Sequence, residues 1–272
     1  MVNGYAPSSL NEALELLAAH TLTPYAGGTD LMIDEEREGA FLFLHKIPEL
    51  KQVTQDDEYI RFGAGCTFTE LLENPLTPAL LKEALALIAA PAIRNEGTIG
   101  GNIGNGSAKA DSALIFFVTD AILRLVSSKC ERLIPIKAFY KGRKQLDRAS
   151  DELIVEVLMP KKSLISYYYQ KVGARKALAI SRLSFAGLMD IEDGKITHCA
   201  TAFGAVSDVI IRREDIDAML IGKTVEEARA EKAAYLKAFE DAIVPIRGRV
   251  SEEYRKSVCL NLLRDFLEQF GI

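Results

Sequence analysis

The chain has 272 residues, of which 49% are hydrophobic and 26% are charged. This composition is ordinary for a globular protein and excludes disordered, collagen-like and coiled-coil proteins. The formal charge of −5, from 33 basic and 38 acidic residues, gives no reason to expect nucleic acid as the main partner.

The N-terminal part begins with a helix and continues with short strands. Ser9 and Glu12 predict a capping box, and apolar residues recur behind them at helical spacing. A strand over residues 22–26 then leads into Gly-Gly-Thr at residues 27–29, where the threonine predicts the N-cap of a second, short helix. Residues 41–46 predict another strand.

Helices and strands are mixed without regular alternation in the middle of the chain. The predicted elements are a strand over 59–64, helices over 68–72 and 78–90, and strands over 121–128 and 153–158. Five glycines fall within residues 97–106 and predict a structured loop. Residues 160–162, Pro-Lys-Lys, predict a linker. The pattern favours an α+β arrangement over repeated βαβ units.

The C-terminal part has a different pattern, with long strands followed by two helices. Antiparallel strands are predicted over 167–172, 183–191 and 195–203, with Asp193-Gly194 as a hairpin turn between the last two. The two helices are predicted over 225–241 and 251–270. The apolar stripe expected on the second helix consists of Tyr254, Val258, Leu262 and Phe266.

The sequence shows no targeting, membrane or metal-binding pattern. No segment approaches the roughly 20 apolar residues of a membrane span, and the first ten residues lack the features of a secretory signal. The three histidines are scattered, and the four cysteines are too widely spaced for a zinc or iron–sulfur site. We therefore expect reduced thiols, no membrane span and a cytoplasmic location.

Two glycine-rich segments are the best candidates for a binding site. In the first, Gly27 and Gly28 end a strand before a capped helix, which leaves main-chain N–H groups available to an anion; a tight turn without a ligand is the alternative. In the second, residues 97–106, glycine allows close approach of a ligand while Thr98 and Asn102 offer side-chain hydrogen bonds. A flexible surface loop is the alternative for this segment.

Neither segment has a common nucleotide-binding register. A Rossmann G-x-G-x-x-G pattern started at Gly104 and Gly106 has Lys109 in place of the third glycine. The Gly-Lys-Thr at residues 222–224 has Asp217 where a P-loop requires glycine. Two glycine segments outside these registers indicate a different way of holding a diphosphate.

Four stretches together resemble the FAD-binding, or medium, subunit of the molybdenum hydroxylases, the xanthine dehydrogenase and carbon monoxide dehydrogenase group. They are Ala26-Gly27-Gly28-Thr29-Asp30, Thr98-Ile99-Gly100-Gly101-Asn102, residues 168–175 with Lys171, and residues 247–255. The resemblance covers essentially the whole chain. It implies an α+β fold with a p-cresol methylhydroxylase-type FAD-binding domain of two subdomains, residues 1–50 and 51–162. An antiparallel sheet-plus-helix domain of the CO dehydrogenase flavoprotein type, residues 163–272, would follow.

The resemblance also implies which residues bind FAD, without a covalent link. The diphosphate would be wrapped by Pro24, Tyr25, Ala26, Gly27, Gly28, Thr29, Asp30 and Leu31. Diphosphate and ribityl oxygens would be bound by Thr98, Ile99, Gly100, Gly101 and Asn102. Ile88 and Ile154 would contact the cofactor, Asp111 would hydrogen-bond to it, and Lys171 would stabilise negative charge on the flavin. No catalytic residue and no metal ligand are expected on this chain.

The implied function is that of an oxidoreductase subunit which transfers electrons. Electrons would originate at a molybdenum cofactor in a large partner subunit, reach FAD from [2Fe–2S] clusters on a small partner subunit, and leave to an acceptor such as NAD⁺. The sequence departs from many relatives at Ser107-Ala108-Lys109 and at Lys176-Ala177-Leu178, which leaves the acceptor open. Two alternatives are a self-contained flavin oxidase of the same fold and a scaffold subunit without a cofactor.

Overall fold

The computed structural model describes residues 4–33, 39–175, 178–248 and 250–272. Its strands are β1 (Gly4–Tyr5), β2 (Leu22–Tyr25), β3 (Ala40–Phe43), β4 (Val53–Gln55), β5 (Tyr59–Gly63), β6 (Ile122–Val126), β7 (Glu131–Pro135), β8 (Tyr140–Gly142), β9 (Gln145–Leu146), β10 (Leu153–Pro160), β11 (Tyr167–Val172), β12 (Leu183–Glu192), β13 (Lys195–Gly204) and β14 (Ile211–Arg212). Its helices are α1 (Leu10–Ala19), α2 (Phe68–Glu73), α3 (Ala79–Ala86), α4 (Pro91–Arg94), α5 (Ile99–Gly104), α6 (Asp111–Val118), α7 (Ile136–Phe139), α8 (Glu214–Asp217), α9 (Val225–Ala242) and α10 (Glu252–Gln269).

The chain divides into two compact units, each with its own sheet structure. The described parts of Met1–Pro78, Ala89–Gly106 and Asp120–Lys161 form the first unit. The second unit consists of Ala79–Ile88, Ser107–Thr119 and the described parts of Lys162–Ile272. Helices α3 and α6 therefore belong to the second unit, although both precede most of it in the sequence.

Two larger sheets and a short hairpin form the first unit. Strand β3 pairs in parallel with β1 on one side and β2 on the other, while β4, β5, β10, β6 and β7 form an antiparallel sheet in that order; β8 pairs with β9. Apolar residues of α1 and of both larger sheets share one core. This core contains Ala13, Leu14, Leu17, Leu22, Leu42, Ile47, Leu50, Val126, Leu153 and Val155.

Three details of the first part of the chain differ from the predictions. Ser9 caps α1 by accepting from the N–H of Glu12, but the Glu12 carboxylate accepts from Ser8, so the predicted capping box is only half formed. The helix predicted over 78–90 ends at Ala86, because Ala89 has a φ of 43° and the proline that follows Ala90 keeps that residue extended. The predicted linker begins later, since β10 continues through Pro160.

A four-stranded antiparallel sheet and two long helices form most of the second unit. The strand order is β11-β12-β13-β14, and Asp193 and Gly194 connect β12 to β13 with positive φ values of 50° and 76°, as the hairpin prediction requires. Helices α9 and α10 pack on a shared apolar core with this sheet. The predicted stripe on α10 is wrong at its first position: Tyr254 is exposed, and Cys259 is buried instead.

Helix α6 is the buried centre of the second unit. All eight of its residues are buried, and it packs on α3, β12 and β13. A helix that is apolar along nearly its whole length needs neighbours on every side, which this position provides. Its first residue is Asp111, so the helix fixes a carboxylate inside the unit.

Candidate cofactor site

A cavity of about 510 Å³ in the first unit collects most of the residues predicted to bind a cofactor. The first glycine segment contributes Pro24, Ala26, Gly27, Gly28, Thr29, Asp30 and Leu31 to its wall, and the second contributes Thr98, Gly100, Gly101 and Asn102. Ile154, on β10, also lines the cavity. Tyr25 and Ile99 do not: the Tyr25 ring packs against Phe41 and Phe43, and Ile99 is fully buried.

The first glycine segment is a tight passage between β2 and a 3₁₀ turn. A Cβ on Gly27 would lie 1.8 Å from the carbonyl oxygen of Glu96, and a Cβ on Gly28, which has a φ of 69°, would lie 2.1 Å from the Tyr25 hydroxyl. Both positions therefore require glycine. The short helix predicted after Thr29 is a 3₁₀ turn over Leu31–Ile33.

The N–H groups of Gly27, Gly28 and Thr29 make no hydrogen bond to any described residue. Three consecutive unpaired amides beside a cavity are suited to binding an anion. The first segment thus has free donors where the sequence predicted them.

The second glycine segment is a helix, and the prediction of a structured loop is wrong. Thr98 is the N-cap of α5, and its Oγ1 accepts from the N–H of Gly101 at 3.1 Å. Asn102 donates its N–H to the Thr98 carbonyl at 2.9 Å. These bonds outweigh the low helix propensity of glycine, which misled the sequence-based prediction.

The two adjacent glycines of α5 have different surroundings. A Cβ on Gly100 would lie 2.5 Å from the Cβ of Ala64 and 2.7 Å from its carbonyl oxygen. A Cβ on Gly101 would meet only the Thr98 Oγ1 at 2.9 Å and the Ala26 Cβ at 3.8 Å, and Gly101 lines the cavity. Gly100 is therefore needed for packing, whereas the missing side chain of Gly101 leaves space in the cavity.

Charged side chains that the sequence analysis missed also line the cavity. They are Lys144, in the β8–β9 turn, and Arg148 and Glu152, in the segment before β10. No motif marks these positions, and only the packing of the hairpin brings them to the cavity. Burial lowers the pKa of Arg148.

The Glu152 carboxylate is already neutralised by a neighbouring guanidinium. Its two oxygens accept from Arg132 at 2.7 and 2.8 Å, and this pair holds the pKa of Glu152 below its ordinary value. Asp30, the other carboxylate on the wall, accepts from the side-chain amide of Asn105 at 2.5 Å.

Three further residues assigned by the resemblance, Ile88, Asp111 and Lys171, lie in the second unit. The Lys171 ammonium donates to Asp111 Oδ2 and to the carbonyl oxygen of Leu87, both at 2.8 Å, and Ser181 donates to Asp111 Oδ1 at 2.7 Å. The Asp111 side chain is buried, at 5% exposure, and the Lys171 side chain is partly buried, at 10% exposure. Within the second unit, Lys171 is thus a partly buried cation paired with Asp111; Lys176 and Ala177 lie outside the described residues.

Comparison with known proteins identifies the family. Residues 1–162 match the family model described as "FAD binding domain in molybdopterin dehydrogenase", and residues 167–270 match the CO dehydrogenase flavoprotein C-terminal domain. The chain belongs to the FAD-binding subunits of the molybdenum hydroxylases. It is an oxidoreductase subunit with an FAD-binding domain followed by an antiparallel sheet domain, as the resemblance predicted.

Relatives cover most of the chain. The xanthine dehydrogenase FAD-binding subunit of Escherichia coli O157:H7 is 33% identical over 217 residues, 75% of this chain and 74% of the relative. The nicotinate dehydrogenase FAD-subunit of Eubacterium barkeri is 29% identical and covers 97% of this chain and 96% of its own. The same fold occurs in carbon monoxide dehydrogenase from Hydrogenophaga pseudoflava, with a TM-score of 0.89, 24% identity, and coverage of 97% and 95%.

The cavity of this family member fits a dinucleotide diphosphate. The unpaired amides of residues 27–29 supply donors, and the wall at Gly101 has no side chain to fill the space. In the described ranges, no helix is long and apolar enough to cross a bilayer, and no three His, Cys, Asp or Glu side chains are placed to hold a metal ion.

Proposed function

We propose that this chain binds FAD non-covalently in the first-unit cavity and passes electrons from [2Fe–2S] clusters of a small partner subunit to an acceptor such as NAD⁺. The electrons originate at the molybdenum cofactor of a large partner subunit, and the complex is cytoplasmic. The observation that carries the proposal is the row of unpaired amides at residues 27–29 on the cavity wall. Bound FAD supplies hydride-transfer chemistry, which the side chains of this subunit lack.

The chain's own residues bind and orient the cofactor. The N–H groups of Gly27, Gly28 and Thr29 would donate to diphosphate oxygens, while α5, whose first N–H groups already donate within the protein, would form another part of the wall. Ile154 supplies an apolar contact. The other residues that the resemblance assigns to the two segments shape the cavity. Pro24, Ala26, Asp30, Leu31, Gly100, Gly101 and Asn102 line it, and Tyr25 and Ile99 pack behind its wall.

Partner subunits are supported by the names of the relatives. These include FAD-binding subunits and the medium chains of carbon monoxide dehydrogenase and glyceraldehyde dehydrogenase. A protein that is one chain of several in its relatives is expected to work in a complex here too. The described part of this chain offers no group of metal-ligating side chains for a cluster of its own, so the clusters belong to a partner in this proposal.

The experiment is co-expression of this chain with an iron–sulfur subunit and a molybdenum subunit proposed as its partners, followed by acid release of flavin from the purified complex. We expect one FAD per copy of this chain, and flavin absorbance that bleaches with substrate only when both partners are present. Bleaching in the isolated chain would instead identify a self-contained flavin oxidase. A complex without flavin, which also fails to take up added FAD, would identify a scaffold subunit.

Lys171, Asp111 and Ile88 form the part of the proposal that lies in the second unit. Lys171 provides a cation that favours the reduced, negatively charged flavin, while Asp111 holds its ammonium at 2.8 Å. Replacing Lys171 by alanine would lower the two-electron reduction potential of the flavin by some tens of millivolts. This shift corresponds to the free energy of one hydrogen bond to a charged group. The pair Lys171→Met with Asp111→Asn removes both charges together and avoids a lone buried carboxylate. An unchanged midpoint potential in both variants, at normal FAD content, would remove Lys171 from the site.

A further inference from the structure

Two cations on the cavity wall lie outside both glycine segments and are assigned no role by the resemblance. Lys144 is in the turn between β8 and β9, and Arg148 is in the segment that leads into β10. Both belong to the first unit, like the glycine segments themselves.

The position of Lys144 is held by strong local constraints. Its φ is 59°, a conformation that is uncommon for a lysine and persists only where neighbours impose it. Its N–H donates to the carbonyl oxygen of Gly106 at 3.2 Å, and a Cβ on Gly106 would lie 3.2 Å from the Lys144 Cα. The turn is therefore fixed against the end of α5.

A chain of side-chain hydrogen bonds directs Lys144 toward the first glycine segment. Its ammonium donates to Asn105 Oδ1, and the Asn105 amide donates to Asp30 Oδ2. These three side chains come from three separate segments and all line the cavity. The ammonium is thus held at the wall by a neutral amide.

The two cations on the wall make no direct ion pair. Within the described residues, neither Lys144 nor Arg148 forms an ion pair; Arg148 donates instead to the carbonyl oxygens of Ala149 and Glu152, at 3.0 and 2.6 Å. Glu152 is paired with Arg132, outside the cavity lining. Two cations without a direct ion pair, in a cavity that unpaired amides also line, form a site to which an anion can bind.

We infer that Lys144 and Arg148 bind the diphosphate of the dinucleotide and add charge recognition to the main-chain donors of residues 27–29. The inference rests on the proposed FAD function and extends it to two side chains. It predicts that the affinity for FAD depends on the charge of the diphosphate. Because both side chains are accessible from the cavity, salt should screen this attraction and lower the affinity.

The test is a titration of the full-length apoprotein with FAD, followed by flavin fluorescence, at 0.05 M and 1 M salt. Lys144→Gln should weaken FAD binding about tenfold at low salt, the loss expected for a hydrogen bond to a charged group. Arg143→Gln is the matched control, because Arg143 is exposed in the same turn and does not line the cavity. It should bind FAD within about twofold of the wild type. The effect of Lys144→Gln should shrink at 1 M salt.

Arg148→Gln tests the second cation, since it removes the charge, and it should also weaken FAD binding about tenfold at low salt. Displacement of bound FAD by ADP, which contains a diphosphate but no flavin, completes the experiment.

Weakening of FAD binding and ADP binding by the same factor in Lys144→Gln supports the inference. Weakening of FAD binding with unchanged ADP affinity would overturn it, and so would wild-type FAD binding in either Lys144→Gln or Arg148→Gln; the proposed function would stand in each case. A wild-type apoprotein that binds no FAD would overturn both. Thermal unfolding of each apoprotein shows that a loss of binding is not a loss of fold.

Discussion

The two glycine segments on the cavity wall use glycine for different physical purposes. In the first, the N–H groups of residues 27–29 have no partner in the described chain. In the second, all four N–H groups of residues 99–102 already donate, to Cys66 and Ala64 carbonyls and to the Oγ1 and carbonyl of Thr98. The first segment therefore supplies hydrogen-bond donors, whereas the second supplies a close-packed wall with space at Gly101. A high density of glycine does not by itself identify a segment with unpaired main-chain donors.

The largest effect is expected where glycine is required by packing. Gly27→Ala should lower the free energy of unfolding by about 3 kcal/mol, because its Cβ would overlap the main chain at Glu96. Urea unfolding of the apoprotein measures this. A variant as stable as the wild type would show that the close approach to Glu96 is not required.

Gly101→Val should separate cofactor binding from folding. The valine side chain would occupy cavity space, so FAD affinity should fall about a hundredfold, or roughly 2.7 kcal/mol. Stability should change by no more than about 1 kcal/mol, since Gly101 is helical and only the Thr98 side chain lies close to its Cβ position. Fluorescence titration and urea unfolding of the same preparations provide both numbers.

Two substitutions serve as controls for Gly101→Val. Gly101→Ala should show an intermediate loss of affinity, because its side chain is smaller. Gly100→Ala should show the reverse pattern, with lower stability caused by overlap with Ala64. Normal FAD occupancy in Gly101→Val would exclude α5 from the cofactor site.

A smaller effect is expected from the cap of the second segment. Thr98→Val removes the oxygen that accepts from Gly101 and should cost about 1 kcal/mol of stability. Thr98→Ser keeps the hydroxyl and should be close to the wild type. Equal stability of Thr98→Val and Thr98→Ser in thermal unfolding would show that the cap contributes nothing measurable.

The smallest effect is expected from the ion pair between Glu152, on the cavity wall, and Arg132. Because Arg132 lowers the pKa of Glu152 below its ordinary value of 4.5, this pair stabilises the first unit above that pH, and the contribution is lost as the pH falls through the lowered value. Urea unfolding between pH 6 and pH 3 should therefore show a steeper loss of stability in the wild type than in Glu152→Gln. Parallel pH profiles for the two proteins would argue against this pair.

Much of the fold could be predicted from local sequence signals. Strands β11 to β13, their Asp193-Gly194 turn and the two final helices follow from alternation, turn residues and caps, which act over a few residues. Helix α5 could not be predicted, because its glycines have low propensity and its stability comes from the Thr98 cap and contacts with Ala64.

The site could be predicted only in part for a related reason. The main-chain donors of residues 27–29 are local to one motif, so the sequence indicated them directly. Lys144 and Arg148 reach the cavity through the packing of a hairpin against α5, far from either glycine segment in sequence. The pairing of Lys171 with Asp111 is also a long-range contact. Single-sequence patterns carry no signal for such contacts.

Hydrogen exchange of the apoprotein with and without saturating FAD tests the central claim most directly. The amides of residues 27–29 should exchange rapidly in the apoprotein and become strongly protected by FAD, because they have no hydrogen-bond partner in the described part of the chain and would gain one from the cofactor. The amides of residues 99–102 should be protected in both states, because they already donate within the protein. Saturating FAD that leaves residues 27–29 unprotected would contradict the account.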